Sequence, residues 1–528
     1  MSTDATPQHP SRSEELEPVY DVVVCGAGSS GCVVAARLSE DPGVRVLVLE
    51  AGGSDDVPEV MDPTRWAENL GGERDWGFRA EPHDGVAGRA LSQSMGRVLG
   101  GGSSINVAMW ARGHRSDWDF VADRAGDPAW GYPAVLDLYR RIEDWHGVTD
   151  PGMRGTGGPV RVEQSPPGPM GQATVEAAGR LGIPSFPSWN GHLQEGRSGI
   201  SALESTVTDG RRRSVYRSYL QPVRHRENLT IVTGALVTRL LVDRGRAVGV
   251  ELVRDGEART VRASAQVVLS LGAINTPALL MRSGIGDPDE LRPLGIDPVA
   301  ELPGVGRNLQ DHVLSIPSVF ACPQPVLPTM TPESGIYLST RAGTAGPDVQ
   351  IAQYDGLVNL SDTPVEAPQA CWTFVPALVR PVSRGAVRLT GPNPDDPVAI
   401  EGPHLREQAD VDVLVAAARM CREIADGEPL APWLSGELAP GRLDDRELGR
   451  LIRRSGVPYW HTSCTAALGT GPDAVVDAVL AVHGLEGVRV ADASVLPRIT
   501  SGNTMAPSVV IGERAADILT AALGLHRG

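Results

Sequence analysis

The chain has 528 residues, which is long enough for two joined domains that each bury a core. Hydrophobic residues make up 41% of the chain and charged residues 21%, as is typical of a globular enzyme. A formal net charge of −17 argues against partners that need a basic face, namely nucleic acid and anionic membrane surfaces. No apolar run approaches the ~20 residues that cross a bilayer, so we expect no membrane span.

Residues 1–18 are polar, are rich in Pro, Ser and Glu, and lack the apolar stretch of a secretory signal. They predict a disordered N-terminal arm. The six cysteines form no CxxC pair and show no zinc-ligand spacing with histidine. We therefore expect reduced thiols, no metal site and a cytoplasmic protein.

The first elements read as a βαβ unit. A β-branched strand over residues 19–25 is followed at once by a G-x-G-x-x-G turn over 26–31, a helix over 32–38 and a second strand over 44–50. In such turns the glycines permit a tight bend, close approach to a pyrophosphate, and close packing of helix on strand. Glu50 ends the second strand, where a carboxylate accepts hydrogen bonds from ribose hydroxyls. The unit predicts a dinucleotide site without deciding between NAD and FAD; the alternative is a glycine-rich turn in an unrelated α/β domain.

The later segments divide between two domains. Beyond residue 312, Pro-rich turns, a strand over 348–354 and a helix over 410–424 indicate a mostly antiparallel sheet with a few helices. Residues 488–523 read as a strand, a loop and a long helix that rejoin the first domain. The predicted division is an arm at 1–18, a discontinuous nucleotide-binding domain at 19–155, 200–312 and 457–528, and a second domain at 156–199 and 313–456.

Further motifs follow in a fixed order and cover nearly the whole chain: 96–113 (GRVLGGGSSINVAMWARG), 272–286 (GAINTPALLMRSGIG), 302–312 (LPGVGRNLQDH), 461–465 (HTSCT), 490–497 (VADASVLP) and 501–507 (SGNTMAP). In this order they resemble the glucose–methanol–choline family of flavin-dependent oxidoreductases. The resemblance is greatest to bacterial choline-dehydrogenase-like members and to aryl-alcohol- or hydroxymethylfurfural-oxidase-like members. It implies a combined α/β and α+β fold. A Rossmann-like FAD-binding domain would hold a parallel sheet, and a substrate-binding domain would hold a mostly antiparallel sheet with flanking helices.

The resemblance also implies FAD as the cofactor. The residues that match its binding positions are Gly26, Gly28, Ser29, Ser30, Gly31, Glu50, Ala51, Arg97, Gly100, Gly101, Ser103, Asn106, Val107, Ala108, Val237, Gly272, Asp492, Ala493, Asn503 and Thr504. Some relatives carry a histidine after the Gly-Ser-Ser run that bonds covalently to the flavin. Ile105 stands at that position here and is no nucleophile, so we expect non-covalent FAD.

The expected chemistry needs two groups besides the flavin. Alcohol oxidation removes a hydride, which flavin N5 accepts, and a proton, for which histidine is suited because its pKa lies close to neutral pH. The resemblance assigns the base to His461 in the stretch YWHTSCT. It assigns the orientation of the substrate oxygen to Asn503, which follows 42 residues later (503 − 461).

Four aromatic residues are candidates for the wall of the substrate pocket, with core packing as the alternative: Trp460, Tyr354, Trp372 and Phe374. The predicted function is FAD-dependent oxidation of a small-molecule alcohol to an aldehyde or ketone. The electron acceptor is O2, a quinone or another acceptor. One alternative is a hydroxynitrile lyase, which uses FAD structurally on the same fold. Another is a flavin-binding protein without catalysis, although the presence of both His461 and Asn503 speaks against it. The particular alcohol stays open, as does the choice between monomer and homodimer.

Overall fold

The computed structural model describes residues 16–324, 326, 332–361 and 363–526. Most of the predicted N-terminal arm, residues 1–15, lies outside the described residues. Pro18 already belongs to the folded part, because its carbonyl oxygen accepts a hydrogen bond from Arg262 N at 3.0 Å.

Eleven α-helices lie in the described part of the chain: α1 (Ser29–Leu38), α2 (Pro58–Met61), α3 (Gly102–Ile105), α4 (Arg115–Ala125), α5 (Tyr132–Ile142), α6 (Pro169–Arg180), α7 (Gly272–Arg282), α8 (Pro288–Leu291), α9 (Gln408–Ala425), α10 (Asp445–Ser455) and α11 (Met505–Leu523). Shorter helical turns of 3₁₀ type are Pro63–Asn69, Asp84–Val86, Pro128–Trp130, His192–Glu195, Gln221–Val223, Arg292–Leu294, Glu428–Trp433 and Ala493–Val495, and Tyr216–Leu220 is a π turn. Across the described residues, none of these helices combines the length and the apolarity that a membrane crossing requires.

The strands, in chain order, are β1 (Val19–Cys25), β2 (Val46–Leu49), β3 (Phe78–Arg79), β4 (Ser92–Gln93), β5 (Glu143–His146), β6 (Val160–Gln164), β7 (Gly199–Ala202), β8 (Glu204–Ser205), β9 (Val207–Thr208), β10 (Arg211–Arg212), β11 (Leu229–Val232), β12 (Leu236–Asp243), β13 (Arg246–Arg254), β14 (Glu257–Leu269), β15 (Ile285–Gly286), β16 (Ala300–Glu301), β17 (Val313–Leu314), β18 (Ser318–Ala321), β19 (Ser334–Leu338), β20 (Val349–Asp355), β21 (Cys371–Leu378), β22 (Ala386–Leu389), β23 (Val398–Glu401), β24 (Gly436–Ala439), β25 (Val457–Pro458) and β26 (Val488–Val490).

The first sheet has seven strands in the order β11-β2-β1-β14-β13-β12, with β26 paired to β14. The pairs β11–β2, β2–β1, β1–β14 and β14–β26 are parallel, whereas β12 and β13 extend β14 as an antiparallel meander. All four residues of β2 are buried, as expected for a parallel strand covered on both faces. Helices α1 and α11 pack together on this sheet, where Gly512 lies against Ser30 and Val33. The predicted Rossmann-like domain with a parallel sheet is thus confirmed.

The second sheet has eight strands in the order β24-β18-β21-β20-β19-β7, with β17 joined to β21 and β25 joined to β17. All of these pairs are antiparallel, which confirms the predicted second domain. Helices α6 and α9 cover one face with an apolar core. The other face carries a separate cluster that includes Met109 and Ala111, residues of the nucleotide-binding part of the chain. The two domains therefore meet across this face.

Two edge strands depart from the predicted division of the chain. Residues 200–202 of β7 pair with β19, and residues 457–458 of β25 pair with β17, so both lie in the second sheet. Both were expected in the nucleotide-binding domain. The sheet to which a short edge strand belongs is set by a hydrogen-bonded partner that is distant in sequence. Amino-acid composition does not indicate which partner that is.

Candidate active site

A cavity of about 680 Å³ lies between the first sheet and the second. Its wall includes Gly26, Glu50, Ser270 and Asp492, which follow the carboxyl ends of β1, β2, β14 and β26. Open α/β sheets bind ligands outside the carboxyl ends of their parallel strands. The cavity therefore occupies the position that this fold class uses for a nucleotide.

The turn between β1 and α1 leaves no space for a side chain at Gly26 or at Gly31. Gly26 has φ +97°, and a Cβ atom there would lie 2.4 Å from Ser270 O. A Cβ atom on Gly31 would lie 2.0 Å from Gly26 O, so this glycine lets the helix pack on the turn. Gly28 is the N-cap of α1 and makes no side-chain cap, which leaves N–H groups of the first helical turn available to an anion.

Glu50 closes the end of β2. Its Oε2 accepts a hydrogen bond from Ala27 N at 2.9 Å and its Oε1 accepts one from Gly52 N at 2.8 Å. Burial raises the pKa of Glu50, while these N–H donors act in the opposite direction. The carboxyl group is thereby fixed at the cavity wall, where a ribose would lie.

The glycine-rich loop over residues 96–106 folds back onto this turn. Gly101 has φ +53°, and a Cβ atom there would lie 2.9 Å from Gly28 Cα. Asn106 Oδ1 accepts hydrogen bonds from Arg212 Nη1 at 2.8 Å and from Ala108 N at 2.9 Å. These contacts hold the loop against the cavity.

The loop after β26 also stabilises the cavity wall. Asp492 Oδ2 accepts hydrogen bonds from Gly272 N at 2.9 Å and from Thr276 Oγ1 at 2.6 Å, and Asp492 Oδ1 accepts one from Ser494 N at 2.8 Å. Burial raises the pKa of Asp492, and its hydrogen-bond donors lower it. The carboxylate thereby ties the first turn of α7 to the cavity wall.

Most of the residues predicted to bind the cofactor line the cavity: Gly26, Gly28, Ser29, Ser30, Glu50, Ala51, Gly101, Ser103, Asn106, Val107, Val237, Gly272, Asp492, Ala493, Asn503 and Thr504. Four predicted residues do not line the cavity: Gly31, Gly100 and Ala108 are buried elsewhere, and Arg97 is exposed. Ile105 also lines the cavity and is buried. The site fits a dinucleotide such as FAD. It offers the open N-terminus of α1, glycines that allow close approach of the backbone, and the fixed carboxylate of Glu50.

The predicted catalytic pair meets on the same wall. His461 Nε2 lies 3.3 Å from Asn503 Nδ2. On the other side of the ring, His461 Nδ1 lies 2.9 Å from His312 Nδ1, and His461 N donates a hydrogen bond to Asp311 Oδ1 at 2.7 Å. Burial and the neighbouring His312 lower the pKa of His461 well below its ordinary value, and burial lowers the pKa of His312 to about 4. Both rings are therefore neutral near neutral pH.

Two further residues contact the catalytic pair. Gln350 Nε2, from β20, donates a hydrogen bond to Asn503 Oδ1 at 3.3 Å. Tyr459 lies with its ring centroid 4.4 Å from that of His461. Burial raises the pKa of Tyr459 to about 12, while a hydrogen bond to Asn503 lowers it. The phenol is therefore protonated across the physiological range.

A buried ion pair holds the loop that carries Asn503. Asp117 Oδ2 accepts a hydrogen bond from Ser501 N at 2.7 Å, and Arg380 Nη2 donates to Asp117 Oδ1 and to Ser501 Oγ, each at 2.7 Å. Gly502 follows with φ +138°, and a Cβ atom there would lie 2.5 Å from Tyr337 Oη. The loop therefore has little freedom to move Asn503.

Trp460 and Tyr354 line the cavity as predicted candidates for the pocket wall. Trp460 has φ +57°, a conformation that is strained for a bulky residue, and its Nε1 donates to Ser92 O at 3.1 Å. Trp66 extends this wall, with its ring centroid 6.5 Å from that of Trp460.

Trp372 and Phe374 do not line the cavity. Both are fully buried in the core between β21 and the helices, where Trp372 stacks on Phe320 with ring centroids 4.5 Å apart. Successive side chains on a strand point to opposite faces, so Val375 from the same strand lines the cavity instead. For these two aromatic residues the alternative of core packing therefore holds.

Sequence reasoning gave no role to His312, Asp311, Gln350 or Tyr459. His312 was visible as the last residue of the 302–312 motif, and Gln350 lies on the strand that carries Tyr354. Tyr459 stands two residues before His461, whereas the contacts of His312 and Gln350 to the catalytic pair span 149 and 153 residues of sequence. No local pattern reports a pairing at that separation.

The cavity combines a nucleotide-binding turn on a parallel sheet with a His/Asn pair that faces the antiparallel sheet. This combination is the one expected of a flavin-dependent oxidoreductase. The chain belongs to the GMC oxidoreductase family, whose models for the N-terminal and C-terminal parts match residues 20–314 and 381–512. It is 36% identical to human mitochondrial choline dehydrogenase over 96% of this chain and 91% of that one. It is 34% identical to pyridoxine 4-oxidase of Microbacterium luteolum over 94% and 98%.

Solved structures agree with this membership. The crystal structure of pyridoxine 4-oxidase from Mesorbium loti superposes with a TM-score of 0.89 at 34% identity, covering 94% of this chain and 98% of that one. The protein is therefore an FAD-dependent alcohol oxidoreductase.

Proposed function

We propose that the protein oxidises an alcohol to an aldehyde or ketone with non-covalent FAD, with His461 as the base and Asn503 as the residue that orients the substrate oxygen. The observation that carries the proposal is the 3.3 Å approach of His461 Nε2 and Asn503 Nδ2 on the cavity wall. When bound, FAD supplies the acceptor for the hydride that leaves the substrate carbon.

His461 accepts the alcohol proton at Nε2. Its Nδ1 faces His312 Nδ1 at 2.9 Å, so one proton is shared between those two nitrogens. With this proton on His461 Nδ1, His312 Nδ1 is the acceptor, and the lone pair of His461 Nε2 is directed toward the cavity. Because its lowered pKa keeps the ring neutral near neutral pH, His461 is ready to act as a base.

Asn503 donates from Nδ2 to the substrate oxygen, since its Oδ1 already accepts a hydrogen bond from Gln350. A donor held in place before the reaction stabilises negative charge that develops on that oxygen. The loop fixed by Asp117 and Arg380 supplies this rigidity.

The residues that would hold the cofactor support binding without a covalent bond to the flavin. Glu50 would hold the ribose and the first turn of α1 would hold the pyrophosphate, while Asp492 ties α7 to the cavity wall. Ile105 presents only hydrocarbon to the cavity.

The test is anaerobic reduction of the flavin in the purified holoprotein by a panel of alcohols that includes choline, pyridoxine, benzyl alcohol and short aliphatic alcohols. We expect at least one alcohol to bleach the oxidised flavin spectrum, and His461→Ala to slow that step by about 100-fold or more. Readmitted air then separates an oxidase, which recovers its colour, from a dehydrogenase that needs a quinone or another acceptor.

The proposal is overturned if dithionite reduces the flavin while no alcohol does so. In that case cleavage of cyanohydrins is assayed, because it would identify a lyase. His461→Ala with the wild-type rate of reduction would overturn the assignment of the base alone.

A further inference from the structure

We propose that Gln350 is a positioning residue that fixes the amide orientation of Asn503. This inference rests on the proposed function, because it concerns which atom of Asn503 meets the substrate oxygen. Gln350 lies on β20 in the second sheet, and Asn503 lies in the loop before α11, 153 residues later. The contact thus joins the two domains at the catalytic pair.

The position of Gln350 on its strand directs it toward the cavity. Val349 and Ile351 belong to the core under the helices, whereas Ala352 and Tyr354 belong to the cluster on the opposite face. Gln350 shares the face of Ala352 and Tyr354, because side chains alternate along a strand. It is 1% exposed and Asn503 is 5% exposed, so water has little access to this hydrogen bond.

The hydrogen bond from Gln350 favours one of two amide orientations of Asn503 that have nearly equal shape. With Oδ1 toward Gln350, Asn503 presents its Nδ2 donor to His461 Nε2 and to the substrate. With the amide reversed, Oδ1 would face the lone pair of His461 Nε2, and the substrate oxygen would meet an acceptor. In this structure the amide nitrogen of Gln350, Nε2, faces Asn503 and can only donate, so the contact favours the first orientation.

Two substitutions separate this role from simple packing. Gln350→Met keeps the length of the side chain and removes the donor, so Asn503 loses its preference for one orientation. Gln350→Glu, when ionised, replaces the donor with an acceptor and favours the reversed amide. We therefore expect flavin reduction by an alcohol to slow about 10-fold in Gln350→Met and about 100-fold in Gln350→Glu.

The pH profile adds a second readout. The carboxyl group introduced by Gln350→Glu regains a donor when it is protonated, so the loss in this variant should shrink as the pH falls through the pKa of that group. Gln350→Met has no titrating group and should show the wild-type profile at a lower rate. A packing defect would slow both variants without this difference.

Gln353→Met is the matched control. Gln353 lies on the same strand and is also 1% exposed, but it bonds Ser334 and Asp355 on the opposite face. We expect it to bind FAD and to reduce its flavin at the wild-type rate. The inference is overturned if Gln350→Glu reduces its flavin as fast as Gln350→Met or faster at every pH, provided that both bind FAD.

A double substitution completes the test. In an Asn503→Ala background, Gln350→Met should cause no further slowing, because the group that it positions is gone. An additive loss would show that Gln350 acts on something else. If no alcohol reduces the wild-type flavin, the proposed function fails instead. If the wild type is reduced and the Gln350 variants match it, only this inference fails.

Discussion

Asn503→Ala removes one amide from the cavity wall and leaves its surroundings in place. The loop around it is fixed by Gly502 and by the hydrogen bonds of Asp117 and Arg380, none of which involves the Asn503 side chain. The substitution therefore tests the hydrogen-bond donor and not the position of the backbone.

The expected magnitude follows from the geometry. Asn503 Nδ2 is held 3.3 Å from the base and is nearly excluded from water, so it resembles other donors that are fixed before the reaction. Loss of one such donor slows the chemical step by about 100- to 1000-fold, or about 2.7–4 kcal/mol. Substrate binding should weaken much less, because the donor acts mainly on the charge of the transition state.

Stopped-flow measurement of flavin reduction under anaerobic conditions separates these two quantities, since the substrate dependence of the rate gives both the limiting rate and the dissociation constant. Asn393→Ala, in the exposed loop between β22 and β23, is the matched control and should keep the wild-type rate. A limiting rate in Asn503→Ala within about threefold of the wild type would refute the assigned role.

Three further outcomes follow from the same structure. Burial and His312 lower the pKa of His461, so the rate of flavin reduction should be constant from about pH 6.5 upward. The rate should fall only at lower pH, because protonation of His461 removes the proton acceptor. A fall in rate centred at or above the ordinary histidine pKa would contradict this. Glu50→Ala removes the acceptor for two backbone N–H groups at the ribose position and should weaken FAD binding about 10- to 100-fold. Flavin titration of the apoprotein measures this affinity. An unchanged affinity would exclude a contact between Glu50 and the cofactor. Because Ile105 offers no nucleophile, acid precipitation should release all of the flavin into the supernatant, and a yellow pellet would reveal a covalent bond.

The N-terminal cradle was the most predictable part of the fold. The turn over residues 26–31 and Glu50 lie within one βαβ unit, so local spacing alone indicates how they meet. The catalytic pair came from resemblance and not from spacing, because His461 and Asn503 are brought together by the tertiary fold.

The second domain shows where sequence reasoning stops. The period of two identified residues 348–354 as a strand but left open which face of this strand meets the helices. Of the aromatic candidates on this sheet, Tyr354 lines the cavity, whereas core packing holds for Trp372 and Phe374. Choosing between the faces requires knowledge of which elements pack above and below the sheet, and this information is distributed over the whole chain.

The parallel sheet has a consequence for how the protein is made. Cys25 ends β1 and Val488 begins β26, so 462 residues (488 − 25 − 1) are translated between two strands of one sheet. At about 5–20 residues per second, a ribosome needs roughly 20–90 s for this stretch. Throughout that time α1 lacks its packing partner α11, and Asp492 has not yet been added to the cradle. Until β26 and α11 have been made, the apolar face of α1 lacks its cover and the cradle lacks one of its carboxylates, so we expect the cofactor site to form only after these two elements have emerged.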